Sequence, residues 1–286
     1  MKKLLYQFDT DALPAVFDNV VGYDGGADHI TAYGGVNAAN VGGLVEGAIF
    51  TRGPKDKKNT AIFIGGGNMT EGQALLAAVQ KKFFANFRVS VMFDCNGSNT
   101  TAAAAVAWLS HGRSLKGKRA VVLAGTGPVG QRAAALLARE GAAVTITGRK
   151  IEVVRAACEA VKARFGAEMQ AVAAPTQIER AAALDGAQLV LATGAAGITL
   201  LGAEQWQESR SLELVADANA SPPAGIEGIA PGDRGKESHG KILFGALGFG
   251  ALKLALHRAC IARLFERNDL TLDAEDIYDL AKTMVG

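Results

Sequence analysis

At 286 residues, 49% of them hydrophobic, the chain is long enough for two α/β domains with full cores. A formal net charge of +2 excludes the large field that drives nucleic-acid or membrane-surface binding. Cys95, Cys158 and Cys260 are far apart and form neither a Cys-x-x-Cys pair nor a Cys/His ligand spacing, so no disulfide framework and no metal site is expected. No apolar run of about 18 residues and no signal peptide is present, and the expected setting is reducing and cytoplasmic.

In chain order, the predicted elements alternate strand and helix. Leu4 to Phe8 reads as a strand that exits at Asp9-Thr10-Asp11, followed by a helix from about Pro14 to Val21. His29 to Tyr33 is a second strand, with a helix from Asn37 through Gly47. Ala61 to Ile64 is a third, closed by three glycines and Asn68 and followed by a helix to Phe84. Arg88 to Phe93 is a fourth. Its exit, Asp94 to Asn99, leads into an alanine-rich helix to Leu109. This alternation predicts a mostly parallel sheet covered on both faces. His111 to Lys118 reads as a boundary, which gives a first domain of 1–110 plus 251–286 and a second of 111–250. Strands at Ala142–Thr147, Met169–Val172, Leu189–Ala192 and Leu212–Ala216 fill the second domain. After it the chain reads as helical, from about Leu252 to Glu266 and from Asp273 to Met284, and these helices are expected to return to the first domain.

The most informative stretch is Ala120 to Gly130. A short β-branched strand ends at Gly125-Thr126-Gly127-Pro128-Val129-Gly130 and opens a helix, the strand–turn–helix setting that a dinucleotide-binding fingerprint requires. Gly125 is expected to make the tight turn, Gly127 to let a pyrophosphate approach, and Gly130 to let helix and strand pack closely. The next strand ends in Gly148-Arg149-Lys150, where an NAD-preferring site places Asp or Glu. Two cations suit a 2′-phosphate instead, so the expected cofactor is NADP. Thr193 and Gly194, at the exit of the strand ending at Ala192, complete the expected cofactor-binding set. The fold class is therefore α/β, an N-terminal α/β domain and a Rossmann NADP-binding domain.

Ligands of open α/β sheets bind beyond the strand C-termini. In the first domain the most polar exit is Asp94 to Thr101, with Asn96, Ser98, Asn99 and Thr100 as candidate substrate contacts, although ordinary helix capping accounts for any one of them. Lys253 and His257 stand at i, i+4 on the late helix and share a face. Tyr278-x-x-x-Lys282 in the last helix reads as a surface face.

Phe8-Asp9-Thr10-Asp11, Val21 to Thr31, Asn96 to Thr101, Leu123 to Gly130 and Leu256 to Ala262 together resemble NADP-dependent methylene-tetrahydromethanopterin dehydrogenases, in register over essentially the whole chain. The stretch before the fingerprint departs from that pattern, being shorter and carrying His111 and Arg113. The resemblance implies two α/β domains with a cleft between them. It also implies a homo-oligomer, a trimer in the family, whose neighbouring subunit contributes to that cleft. The implied reaction is oxidation of the methylene bridge of tetrahydromethanopterin, or of tetrahydrofolate, to the methenyl form in one-carbon (formaldehyde) metabolism. It carries active-site roles onto Phe17, Thr101, Lys253 and His257. Asp9 and Asp24 are candidates to accept from pterin ring N–H groups. The alternatives are a folate-type dehydrogenase with cyclohydrolase activity, whose Tyr-x-x-x-Lys helix is missing from the first domain, and an NADP-binding sensor without turnover.

Overall fold

The structure is a computed structural model that describes residues 1–285. It contains two compact units, Met1–Thr100 with Leu254–Thr283, and Thr101–Lys253. The chain passes from one unit to the other inside two helices. These passages fall at 100/101 and 253/254, against the 110/111 and 250/251 expected from the sequence.

Unit 1 is built on a five-stranded parallel sheet. Strands β1 (Leu4–Asp9), β2 (His29–Tyr33), β3 (Thr60–Gly65) and β4 (Ser90–Phe93) alternate with helices α1 (Val16–Asp24), α2 (Gly42–Phe50) and α3 (Met69–Lys81). A fifth strand, which local pattern does not reveal because it is two residues long, is Thr271–Leu272; it pairs with Val91 and Met92 and makes the order β12-β4-β3-β1-β2. Every residue of β3 and β4 is buried, as expected for parallel strands covered on both faces. Phe8, Ile62, Ile64, Val91 and Phe93 pack with Leu75, Val79, Val45 and Ile49 of the flanking helices. The predicted helix from Asn37 starts later, at Gly42. Asn37 and Asn40 instead close a turn, where Asn37 Oδ1 accepts from the Ala39 amide and Asn40 Oδ1 from the Asn37 amide.

Helix α4 (Ser98–Ser110) leads into unit 2. There β5 (Arg119–Leu123), α5 (Pro128–Arg139), β6 (Ala143–Gly148), α6 (Ile151–Phe165), β7 (Gln170–Ala173), α7 (Gln177–Ala182), β8 (Leu189–Ala192), α8 (Ala203–Gln207) and β9 (Leu214–Asp217) follow in turn. A hairpin of β10 (Arg234–Ser238) and β11 (Lys241–Phe244) completes a seven-stranded sheet of order β10-β11-β9-β8-β5-β6-β7, parallel except for β10. The sequence reading missed this hairpin because β10, Arg-Gly-Lys-Glu-Ser, is a polar edge strand with no apolar alternation. Its two-residue turn places both His239 (φ 51°) and Gly240 (φ 69°) in the left-handed region.

Helix α9 (Ala246–Arg263) begins earlier than the glycines at 245, 248 and 250 suggested. At two of them the glycine serves close approach rather than chain breaking. A Cβ on Gly245 or Gly248 would overlap the carbonyl oxygens of Ala230 or Asp233. The first α9 amides, of Leu247 and Gly248, donate to the Pro231 carbonyl, which serves as the cap that no side chain supplies. The chain then runs through β12 (Thr271–Leu272) to α10 (Ala274–Met284), where Asp273 Oδ1 accepts from the Ala274 amide. Tyr278 of α10 is fully buried, so of Tyr278-x-x-x-Lys282 only the lysine lies on the surface, where its ammonium stands over the tyrosine ring. No helix among the described residues is long and apolar enough to cross a membrane, and no group of His, Cys, Asp and Glu among them is placed to hold a metal ion.

Candidate functional site

In unit 2 the strand order reverses at β5, which lies between β6 and β8. Such a switch point opens a crevice at the strand C-termini. A cavity of about 440 Å³ lies there, lined from Thr126 and Gly127 after β5, Gly148 and Arg149 after β6, Pro175 and Arg180 after β7, and Thr193 and Gly194 after β8. Local hydrogen bonds hold the loops together. The Ala124 amide donates to Thr147 Oγ1 at 3.2 Å, the Gly125 amide to the Thr147 carbonyl at 3.0 Å, and Thr193 Oγ1 to the Leu123 carbonyl at 3.1 Å.

The structure redistributes the roles of the fingerprint residues. The left-handed residue of the turn is Ala124, at φ 51°, not Gly125. Gly125 is required for space, since its Cβ would lie 2.8 Å from Val122 Cγ1. Gly130 packs its Cα face against the Gly125 backbone, where a Cβ would come within 2.5 Å. Gly127 caps α5 with nothing within 4 Å of its Cβ position, and Pro128 follows as the first helical residue. A helix N-terminus fronted by open space is what a pyrophosphate needs. Of the expected cofactor residues, Thr126, Gly127, Arg149, Thr193 and Gly194 line the cavity. Gly125, Pro128, Val129, Gly130 and Lys150 do not; Lys150 stands exposed as the N-cap residue of α6. Arg180 was missed, because it sits in an ordinary amphipathic stretch and only the fold turns it toward the crevice. The empty cradle at Gly127 and the absence of Asp or Glu from the lining fit a phosphorylated dinucleotide.

In unit 1 the strand exits are acidic and tightly bonded. Asp9 is buried, and its carboxylate accepts from the amides of Asp11 (2.9 Å) and Ala15 (3.0 Å). Asp94 Oδ1 accepts from the amides of Asn99 (2.8 Å) and Thr100 (3.1 Å), and Oδ2 from Thr100 Oγ1 (2.6 Å), which caps α4. Ser98 Oγ donates to the Cys95 carbonyl, and Asn99 Nδ2 to Phe93 and to Asp273. Ser98, Asn99 and Thr100 are thus fully buried and engaged inside the protein, with Asp94 rather than any of the three supplying the cap acceptor. In that loop Asn96, exposed in a left-handed conformation at φ 53°, and half-buried Thr101 remain open to a ligand. Burial, reinforced by Asp94, Asp9, Asp11 and Asp18, pushes the Cys95 thiol up to about 12. Replacing Asp94 by alanine is expected to cost about 2–4 kcal/mol, because three donors lose a buried acceptor. Urea unfolding of the variant checks this.

Asp24, a candidate pterin acceptor, carries an ion pair of its own. Its Oδ2 takes the Arg258 guanidinium at 2.6 Å, in a pair that is nearly half exposed on both sides. Phe17, on α1, is half exposed, and its ring lies 6.2 Å from that of His257 on α9. His257 has no exposed surface and stacks on Phe63 of β3 at 5.4 Å and 27°. The imidazole therefore backs the Phe17 ring and offers no surface to a ligand. Lys253 lies one turn earlier on α9 and is half-buried.

Comparison with known proteins follows the same lines. The family model described as methylene-tetrahydromethanopterin dehydrogenase, N-terminal, matches residues 16–96. The bifunctional protein MdtA of Methylorubrum extorquens is 58% identical over 99% of both chains. An NAD(P)-dependent methylenetetrahydromethanopterin dehydrogenase of the same organism is 34% identical over 94% of both. Among solved structures, a shikimate 5-dehydrogenase of Mycobacterium fortuitum shares the fold at a TM-score of 0.52 and 14% identity, covering 98% of each chain. With a methylenetetrahydromethanopterin dehydrogenase 34% identical over 94% of both chains and the family's N-terminal model matched over β2, β3 and β4, the chain belongs to the methylene-tetrahydromethanopterin dehydrogenase family.

Proposed function

We propose that the protein oxidises the methylene bridge of methylene-tetrahydromethanopterin to the methenyl form, with NADP as hydride acceptor, as a step in one-carbon (formaldehyde) oxidation. The observation that carries the cofactor choice is the acid-free crevice of unit 2, where the charged lining side chains are arginines. The substrate class is supported by the 34%-identical relative, which carries that activity in its name. When bound, NADP supplies the nicotinamide carbon that accepts the hydride.

The chain's own work is mostly positioning. The bridging carbon lies between two nitrogens whose lone pairs expel the hydride, so no strong base is needed, and orientation accounts for on the order of 7–11 kcal/mol of the barrier. The Phe17 ring packs on the carrier, held from behind by His257 and Phe63. Thr101 and Asn96 offer hydrogen bonds to its polar edge. The product is a delocalised cation. Asp9, Asp11, Asp18 and Asp94 cluster at the unit 1 strand exits, where they add to the effect of burial on the Cys95 thiol, and their negative field suits that developing charge. Asp9 and Asp94, buried and bonded to backbone, act through that field rather than by contact. The Lys253 ammonium opposes the same charge and serves to orient polar groups away from the reacting carbon.

A homo-oligomer is part of this reading. Helix α1 and its approach expose Leu13, Val16, Val20 and Tyr23 beside Phe17, an apolar face suited to a second copy of the chain.

The test is the absorbance of reduced nicotinamide, followed with methylene-tetrahydromethanopterin or methylene-tetrahydrofolate and with NADP or NAD. Signal with NADP and the pterin carrier is expected; silence in all four combinations overturns the reading in favour of a binding protein. The folate carrier, with an assay for hydrolysis of the methenyl product, tests the folate-type alternative.

A further inference from the structure

Arg180 lies on α7 and lines the same cavity as Arg149. Its Nε is buried and makes no hydrogen bond among the described residues. The adjacent carboxylate is not its counter-ion. Glu179 Oε2 is committed to the capping box of α7, accepting from the Thr176 amide at 2.9 Å and Thr176 Oγ1 at 2.6 Å. Desolvation makes the Arg180 guanidinium harder to keep charged than usual, with Glu179 only partly opposing that shift. Arg149 and Arg180 thus point two like charges into one crevice whose lining holds no Asp or Glu. Such an arrangement is costly when empty and favourable around a phosphate.

We propose that Arg180 is a second specificity-determining cation for the 2′-phosphate of NADP, acting with Arg149. The proposal rests on the NADP reading above and adds to it the residue that the sequence did not single out. The order β8-β5-β6-β7 decides which phosphate is meant. Gly127 and the α5 N-terminus follow β5 and suit the pyrophosphate. Arg149 and Arg180 follow β6 and β7, one and two strands farther out, on the side of the crevice where the ribose of the adenosine half lies. A guanidinium also matches phosphate geometry with paired donors, which an ammonium does not.

Titration calorimetry with NADP, NAD, 2′,5′-ADP and 5′-AMP tests this on the wild-type chain and on Arg180→Met and Arg180→Lys. Methionine keeps the apolar stem and removes the charge. It is expected to weaken NADP and 2′,5′-ADP by about 10–100-fold and to move NAD and 5′-AMP by less than about twofold. Lysine is expected to restore part of the loss. Equal weakening of all four ligands overturns the proposal and assigns Arg180 to the adenine or to the fold. No weakening of any also overturns it. A wild-type chain that binds 2′,5′-ADP no better than 5′-AMP overturns the NADP reading itself, an outcome seen before any variant is made.

Discussion

Gly127→Ala is expected to abolish dinucleotide binding while leaving the fold intact, and Gly130→Ala is expected to damage both. Gly127 adopts φ −80° and ψ 174°, which any residue accepts, and nothing lies within 4 Å of the added methyl. Its stability change is therefore within about 0.5 kcal/mol, as for a surface substitution. The methyl would occupy the space in front of the α5 N-terminus, so NADP affinity falls by at least about 100-fold, or roughly 2.7 kcal/mol. At Gly130 the methyl meets Gly125 Cα, C and O at 2.5–2.7 Å. These are backbone atoms, so α5 itself must move. Overpacking of this kind costs about 1–3 kcal/mol, partly offset by about 1 kcal/mol of helix propensity gained over glycine. Thermal melts with and without NADP separate the two variants. A Gly127→Ala chain that binds NADP normally would show that the open space is not a phosphate cradle.

His257→Ala is expected to lower turnover by about 100-fold, the scale associated with a misplacement of about 1 Å. The imidazole is fully buried between Phe63 and Phe17, so its removal leaves a void behind the half-exposed Phe17 ring. The void alone costs about 2–4 kcal/mol, judged from large-to-small substitutions in cores. His257→Phe refills it. If His257 is a positioning residue, the phenylalanine variant recovers stability to within about 1.5 kcal/mol of wild type and recovers the KM for the methylene carrier. If turnover stays lost with stability and KM restored, the imidazole nitrogens take part in the chemistry and the positioning role falls. The KM-against-kcat split, with urea unfolding of both variants, separates these cases.

How far the sequence was legible follows from the range of each signal. The strands and helices of both sheets were readable because their patterns are local. β8, Leu-Val-Leu-Ala, is apolar throughout, as a strand covered on both faces must be. The fingerprint was readable because steric demands on Gly125 and Gly130 act within a span of six residues. β10, β11 and β12 were not: β10 is polar, β11 is four residues between turns and β12 is two residues long, and each is a strand only because a partner edge is waiting for it.

The candidate site divides the same way. The sequence by itself determined the fingerprint turn after β5, the basic end of β6 and the shared helix face of Lys253 and His257, because each lies within one element and its exit loop; the crevice at the strand-order reversal needed the assembled sheet. Only the tertiary structure decided which of the polar residues are available. Arg258 claims Asp24 across 234 positions, and Asp273 holds Asn99 across 174. Burial removes Asp9, Ser98, Thr100 and His257 from direct contact with a ligand and leaves Phe17, Asn96 and Thr101 open. Arg180 enters the crevice because β7 pairs with β6. Exposure and pairing are properties of surfaces assembled from distant segments, and no window along the chain contains them.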